Sequence, residues 1–226
     1  MSFPARHGTE LLAHAERNLG RFEQRALDPE AAAARAAEAS GHTGATPANA
    51  HAAVAVTLLP DKGGRGCFLL TRRSLRLRRH RGQWALPGGR IDEAETPEQA
   101  ALRELHEEVG LDLDSSAVLG RLDDFGTRSG FVITPVVFWC DGYRKLEPNP
   151  AEVYRAYRIP LIDLDRPDVP VLREIPESEN PVLSMPIRGG LVHSPTAAIV
   201  YQMLEVVLRG NDVRVAHYEQ PVFAWR

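Results

Sequence analysis

The sequence predicts an α/β domain with a mixed β-sheet, and three observations predict it. Residues 89–111 carry a helix with clear start and stop signals. Short apolar, β-rich runs stand on both sides of it, divided by turn residues. A second long amphipathic helix closes the pattern near residues 194–210, so strands surround one helix and a terminal helix backs them, which gives a layered arrangement.

In chain order, Leu11, Leu12, Ala15, Leu19 and Phe22 mark an amphipathic helix near the start. Asp28-Pro29 then opens an alanine-rich helical stretch running to about Ser40. Alanine is the best helix former, so this stretch can be helical while packing little. Residues 40–50 (SGHTGATPANA) hold Gly, Pro, Ser, Thr and Asn without periodic apolar residues, and read as a linker. Residues 51–59 and 67–71 read as strands separated by DKGGRG, and Trp84 to Leu86 as a third leading into Pro87-Gly88-Gly89. After the helix, 117–124 and 131–140 read as strands with RSG as a hairpin loop, followed by a strand over 152–159 and a short element from Pro160-Leu161 to about Asp165. Ser194 is expected to cap the last helix, with Pro195 first and Gly210 just after it. Its Ile199, Val200, Met203, Leu204, Val207 and Leu208 form a broad apolar face, the mark of core.

Composition sets outer bounds. A hydrophobic share of 43% and a charged share of 25% are ordinary for a globular chain. A net charge of -3 argues against a protein that coats nucleic acid. Cys67 and Cys140 sit in separate apolar runs and read as free buried thiols. The first residues show no apolar leader and no stretch approaches a membrane span, so a cytoplasmic location without membrane attachment is expected.

The chemistry concentrates in residues 89–111. Thr96 suits a helix cap, Pro97 the first position and Gln99 the third, a capping-box pattern. Gly110 suits the stop. Ala101, Leu102, Leu105 and Val109 would face a core, with Glu104, Glu107 and Glu108 together on the opposite face. Like charges at that spacing disfavour a helix by a few tenths of a kcal/mol per pair. A hard divalent cation that prefers oxygen ligands would offset this. A solvated acidic helix is the plain alternative, but it accounts for neither Gly89, Glu95 nor Arg103.

Gly89, five residues to Glu95, seven to Arg103-Glu104-Leu105, then Glu107-Glu108 and Gly110-Leu111 resembles a complete Nudix box. The resemblance implies a Nudix-type α/β/α sandwich with a mixed β-sheet over most of 52–210, plus an N-terminal helical extension outside it. The expected division is 1–50 as extension and linker and 51–226 as the hydrolase domain. It further implies a hydrolase that cleaves a nucleoside diphosphate joined to another group, with Mg2+ or Mn2+ held by Glu104, Glu107, Glu108 and the Gly89 carbonyl. Diphosphate hydrolysis needs charge neutralised on phosphate oxygens and a water activated for attack, which such an ion supplies. Arg103 is placed to orient carboxylates on either side of it. Glu95 has two readings, a contributor to the metal site or an ion-pair partner of Arg103. Close carboxylates titrate together, so the general base stays open between a box glutamate and Glu152 on a later loop, and Glu152 also reads as a surface strand residue.

Upstream, residues 69–89 are similar to the extended motif of the coenzyme A diphosphatase subgroup, through Thr71, Arg73, Ser74, Arg78, His80 and Gly82. Residues 129–137 and 147–153 resemble that subgroup too. The implied reaction converts coenzyme A or acyl-coenzyme A into 3′,5′-ADP and a phosphopantetheine product. Coenzyme A carries a further phosphate, and arginine grips phosphate with a two-pronged fork. Arg73 and Arg78 are the candidates for that grip, while His80 either bonds a phosphate or braces its loop. His193-Ser194-Pro195 departs from the subgroup, which shows an aromatic-Gly pair there, so other substrates remain: ADP-ribose, dinucleotides or nucleoside triphosphates. A non-catalytic nucleotide- or partner-binding module is the reading from another class, and the retained glutamates speak against it. The first fifty residues either cover the site or form a homodimer contact.

Overall fold

The computed structural model describes residues 3–28, 51–77 and 80–225, with side chains to residue 223. The alanine-rich stretch, the linker and Arg78 lie outside the described residues. The strands are β1 (His51–Pro60), β2 (Gly66–Arg73), β3 (Trp84–Ala85), β4 (Gly88–Arg90), β5 (Val118–Arg121), β6 (Phe125–Gly126), β7 (Val132–Trp139), β8 (Val153–Pro160), β9 (Val171–Ile175), β10 (Ser178–Ile187) and β11 (Gly190–His193). The helices are α1 (Thr9–Leu19), α2 (Pro97–Val109) and α3, which starts as Thr196–Gln202 and widens into a π-helical end over Met203–Leu208.

Successive side chains of a strand point to opposite faces, and β1 uses both. Ala53, Ala55 and Leu59 pack under α2 with its Ala101, Leu105 and Val109. Val56 and Leu58 pack on the other face with Leu11 and Ala15 of α1 and with the apolar stripe of α3. A strand buried on both faces reads as an almost unbroken apolar run, which is what residues 51–59 are. The main sheet runs β3-β2-β1-β7-β5, with β4 on β1, β6 on β7 and β8 on β2. β1 and β7 are parallel, whereas β1 pairs antiparallel with β2 and β4, so the sheet is mixed. The result is the α/β/α sandwich, with an N-terminal helix built into one of its outer layers.

That helix is fixed at the far end of α3. Asn18 Nδ2 donates to the Val207 carbonyl at 2.9 Å, supplying one of the partners a helix's last carbonyls lack. Beyond α1 the chain is pinned by two buried carboxylates: Asp123 accepts from the Arg25 amide at 2.7 Å and Asp124 from the Leu27 amide at 3.0 Å.

Two further features of the fold differ from the sequence reading. Ser194 does not cap α3; its hydroxyl donates to the Leu183 carbonyl at 3.1 Å, tying the helix entry to β10. A second sheet, β11-β10-β9, was not foreseen. Prolines 181 and 186 and the paired glycines hid it. Its signal was present: Arg188 (φ 51) and Gly189 (φ 75) make the two-residue, positive-φ turn that closes a hairpin between Ile187 and Gly190.

Candidate active site

α2 begins where the capping box placed it. Thr96 Oγ1 accepts from the Gln99 amide at 3.3 Å, and Gln99 Oε1 accepts from the Thr96 amide at 2.8 Å. Gly110 ends the helix at φ 63, the left-handed conformation glycine adopts freely. The helix lies close against β4: a Cβ on Gly89 would stand 2.1 Å from Glu104 Oε1, so any larger residue there would displace that carboxylate. The Glu104 carboxylate thus sits directly over the Gly89 backbone.

Arg103 organises the carboxylates around it. Its Nε and Nη2 donate to the two oxygens of Glu95 at 2.9 and 3.0 Å, and Nη1 to Glu104 at 2.8 Å and Glu107 at 3.3 Å. Nη2 also reaches the Arg90 carbonyl at 3.0 Å. Those bonds from Arg103, with the Asp92 amide, hold the Glu95 carboxyl below the usual range. Glu95 is thereby seen in its ion-pair geometry.

Glu152 reaches the box glutamates because its loop is laid along the end of α2. The Asn149 amide donates to the Glu108 carbonyl at 2.9 Å, and the Asn149 carbonyl accepts from Glu152 and Val153. Ser74 holds the loop from the other side, its amide donating to the Glu152 carbonyl at 2.7 Å and its hydroxyl to the Pro150 carbonyl at 3.1 Å. Oxygens of Glu104, Glu108 and Glu152 then lie within 4.8 Å of one another, the one such acidic cluster found among the described residues. Glu107 is half-exposed and stands outside it. Instead of sharing one solvated face, Glu104 and Glu108 are buried.

Three carboxylates that close demand positive charge. Arg73 Nη1 stands 3.9 Å from Glu108 Oε1, too far for a strong bond. Burial first, and then the neighbouring glutamates, push the Glu108 carboxyl up to about 8. Burial likewise raises Glu104. An all-oxygen donor set of three close carboxylates, seated over a backbone glycine, fits a hard divalent cation.

Gly89 and Arg73 also line a cleft of about 1000 Å³, so the cluster stands at its edge. The cleft runs between β1, β3 and β4 on one side and the β10–β11 hairpin with residues 220–223 on the other. The described residues between Thr71 and His80 play different parts there. Arg72 donates twice to the Gly82 carbonyl and lies over Trp84, so it braces the loop. Thr71 donates to the Ala85 carbonyl at 3.0 Å and holds β3 in place. His80 Nδ1 meets Gln83 Oε1 at 3.1 Å while the residue lines the cleft. Sequence reasoning missed Asn149, Arg188 and Phe223, the last two being cleft residues on the unforeseen hairpin and the C-terminal segment.

The comparisons with known proteins point to one family. The model of the NUDIX domain family matches residues 49–176. The curated "Nudix hydrolase 3" of Caenorhabditis elegans is 39% identical over 121 residues, 51% of this chain and 50% of that protein. The "Uncharacterized Nudix hydrolase NudL" of Photorhabdus laumondii is 40% identical over 114 residues, 50% of this chain and 60% of that one. The "Peroxisomal coenzyme A diphosphatase NUDT7" of Mus musculus is 35% identical over 118 residues, 52% of this chain and 50% of that one. The matched part thus spans about half the length of these curated relatives. Among solved structures, a MutT/nudix family protein from Enterococcus faecalis superposes with a TM-score of 0.52 at 17% identity, covering 71% of this chain and 62% of that chain, a likeness of fold.

Proposed function

From a chain that belongs to the Nudix family, we propose a metal-dependent hydrolase that cleaves the diphosphate of coenzyme A or an acyl derivative, giving 3′,5′-ADP and a phosphopantetheine product. The observation that carries this reading is the acidic cluster of Glu104, Glu108 and Glu152 standing beside an arginine-lined cleft of about 1000 Å³. That volume is at the upper end for small-molecule sites, about 300–1,000 Å³, and leaves room for a substrate with a long arm. The curated relative named a coenzyme A diphosphatase supports the same substrate.

In this reading Glu104, Glu108 and the Gly89 carbonyl would hold Mg2+ or Mn2+, with Glu107 as the further ligand that the resemblance implies. The ion, when bound, neutralises charge on the diphosphate oxygens and lowers the pKa of a coordinated water. Arg103 keeps Glu104, Glu107 and Glu95 in register through its fork. Glu152, carried on a loop rather than on the helix, takes the proton of the attacking water. Arg73 neutralises phosphate charge at the cleft; for Arg78, outside the described residues, the same role rests on the sequence resemblance alone. His80 braces the loop through Gln83. No helix among the described residues is long and apolar enough to cross a membrane.

The test is product identification by mass spectrometry with Mg2+ and with Mn2+, over coenzyme A, acyl-coenzyme A, ADP-ribose, NADH and nucleoside triphosphates. Formation of 3′,5′-ADP from the coenzyme A members supports the reading. Turnover of another member alone moves the substrate to that compound, and binding without turnover of any member favours the non-catalytic module.

A further inference from the structure

The two ends of the cleft differ in chemistry. At one, Arg72 lies over Trp84, Trp84 packs on Tyr157 with ring centres 5.0 Å apart, and Arg188 lies over Tyr157. Arg73 lines this arginine-rich end as well. At the other, His193 stands on β11 opposite Ser184 of β10. The Ser184 hydroxyl and His193 Nδ1 share a hydrogen bond of 2.7 Å. Phe223 meets the imidazole edge-on, with ring centres 5.5 Å apart at 75°. Phe131, Leu191 and Ile199 line the same cleft. Arg90 also lines it, its guanidinium 5.1 Å from the centre of the Phe131 ring.

Ser184 is buried and has its hydroxyl committed to the ring. Nε2 is therefore the remaining polar atom of His193, and no other residue bonds to it among the described residues. Burial, then the charge of Arg173, holds the imidazole below the usual histidine range. A half-buried neutral ring set against Phe223 suits an uncharged polar group better than a phosphate. The hairpin and residues 220–223 that build this end lie beyond the family match at 49–176.

We infer that His193 is a specificity-determining residue: its Nε2 takes a neutral amide or carbonyl group of the substrate's non-nucleotide arm, in a corridor walled by Phe131, Leu191 and Phe223. This rests on the proposed coenzyme A reaction and adds which half of the substrate lies where. The phosphorylated nucleotide occupies the arginine end, and the uncharged arm occupies the His193 end.

The test compares kcat and KM for coenzyme A with the inhibition constant of 3′,5′-ADP, which lacks the arm. His193→Phe keeps the bulk and removes the polar atom. It is expected to raise KM about tenfold, the loss of one hydrogen bond in an apolar site, with kcat changed by less than about twofold. The inhibition constant of 3′,5′-ADP stays as in the wild type. Ser184→Ala frees the ring and gives a smaller rise in the same KM; it also serves if His193→Phe lowers the melting temperature so far that kinetics fail. Parallel changes in KM and in the 3′,5′-ADP constant, or no change in either, overturn the placement of the arm. A wild-type protein that leaves coenzyme A intact overturns the reaction on which the inference rests, a result that no variant is needed to see.

Discussion

Glu108→Gln is expected to alter how stability depends on pH in the metal-free protein. The side chain of Glu108 is 4% exposed and stands beside Glu104 and Glu152. Its carboxyl is pushed from an ordinary 4.5 up to about 8, chiefly by burial. A carboxyl raised in the folded state favours folding below the unfolded value and loses that contribution as pH climbs through the folded one. Between 4.5 and about 8, at about 1.4 kcal/mol per pH unit, the loss is on the order of 4–5 kcal/mol, shared with the coupled Glu104. Glutamine has nearly the same shape and no charge to lose. Urea unfolding in EDTA should find wild type and variant within about 1 kcal/mol near pH 5, and the variant more stable by several kcal/mol near pH 9. Saturating Mg2+ should then restore the wild type at high pH and leave the variant unmoved, because the ion binds the ionised carboxylate. Stability curves that stay parallel from about pH 5 to pH 9 would refute the burial argument.

Other perturbations test neighbouring parts of the site. Gly89→Ala places a methyl 2.1 Å from Glu104 Oε1, so Mn2+ affinity should fall at least about tenfold while circular dichroism stays native. Arg103→Lys keeps the charge and loses the fork that joins Glu95, Glu104 and Glu107; turnover should drop about 10–100-fold, and an unchanged rate would show that the fork orients nothing. Ser74→Ala removes the bond to the Pro150 carbonyl and should lower stability by about 1 kcal/mol, with reduced kcat if that loop positions Glu152. Arg73→Ala should weaken coenzyme A about tenfold more than its analogue without the 3′-phosphate; equal losses on both would remove Arg73 from recognition of that phosphate.

Local signals carried most of the candidate site's geometry in the sequence. Thr96, Gln99 and Gly110 determine α2 by bonds to near neighbours, so the helix and the spacing of its glutamates can be read from a short window. The ion pair of Arg103 with Glu95 was equally legible, because both lie on that helix or its entry loop. The burial of Glu104 and Glu108 was not, since it depends on β4 and on the Asn149 loop, distant in sequence. Ser194 shows why a cap pattern can fail: the hydroxyl found a carbonyl on β10, a partner no local rule contains. The second sheet was hidden by its prolines, although the alternation of Leu183, Met185 and Ile187 ahead of Arg188-Gly189 was there to be found. Missing that hairpin meant missing one wall of the cleft.

In the proposed reaction Glu104, Glu108 and Glu152 act as one metal-dependent unit. Isothermal titration with Mn2+, paired with coenzyme A turnover on the same samples, measures this directly for the wild type and for the three single Glu→Gln variants. The prediction is that wild-type turnover needs the ion, that Glu104→Gln and Glu108→Gln lose binding and turnover together, and that Glu152→Gln loses turnover. Coenzyme A cleavage that persists in excess EDTA, or that survives in Glu108→Gln with Mn2+ affinity unchanged, would contradict it.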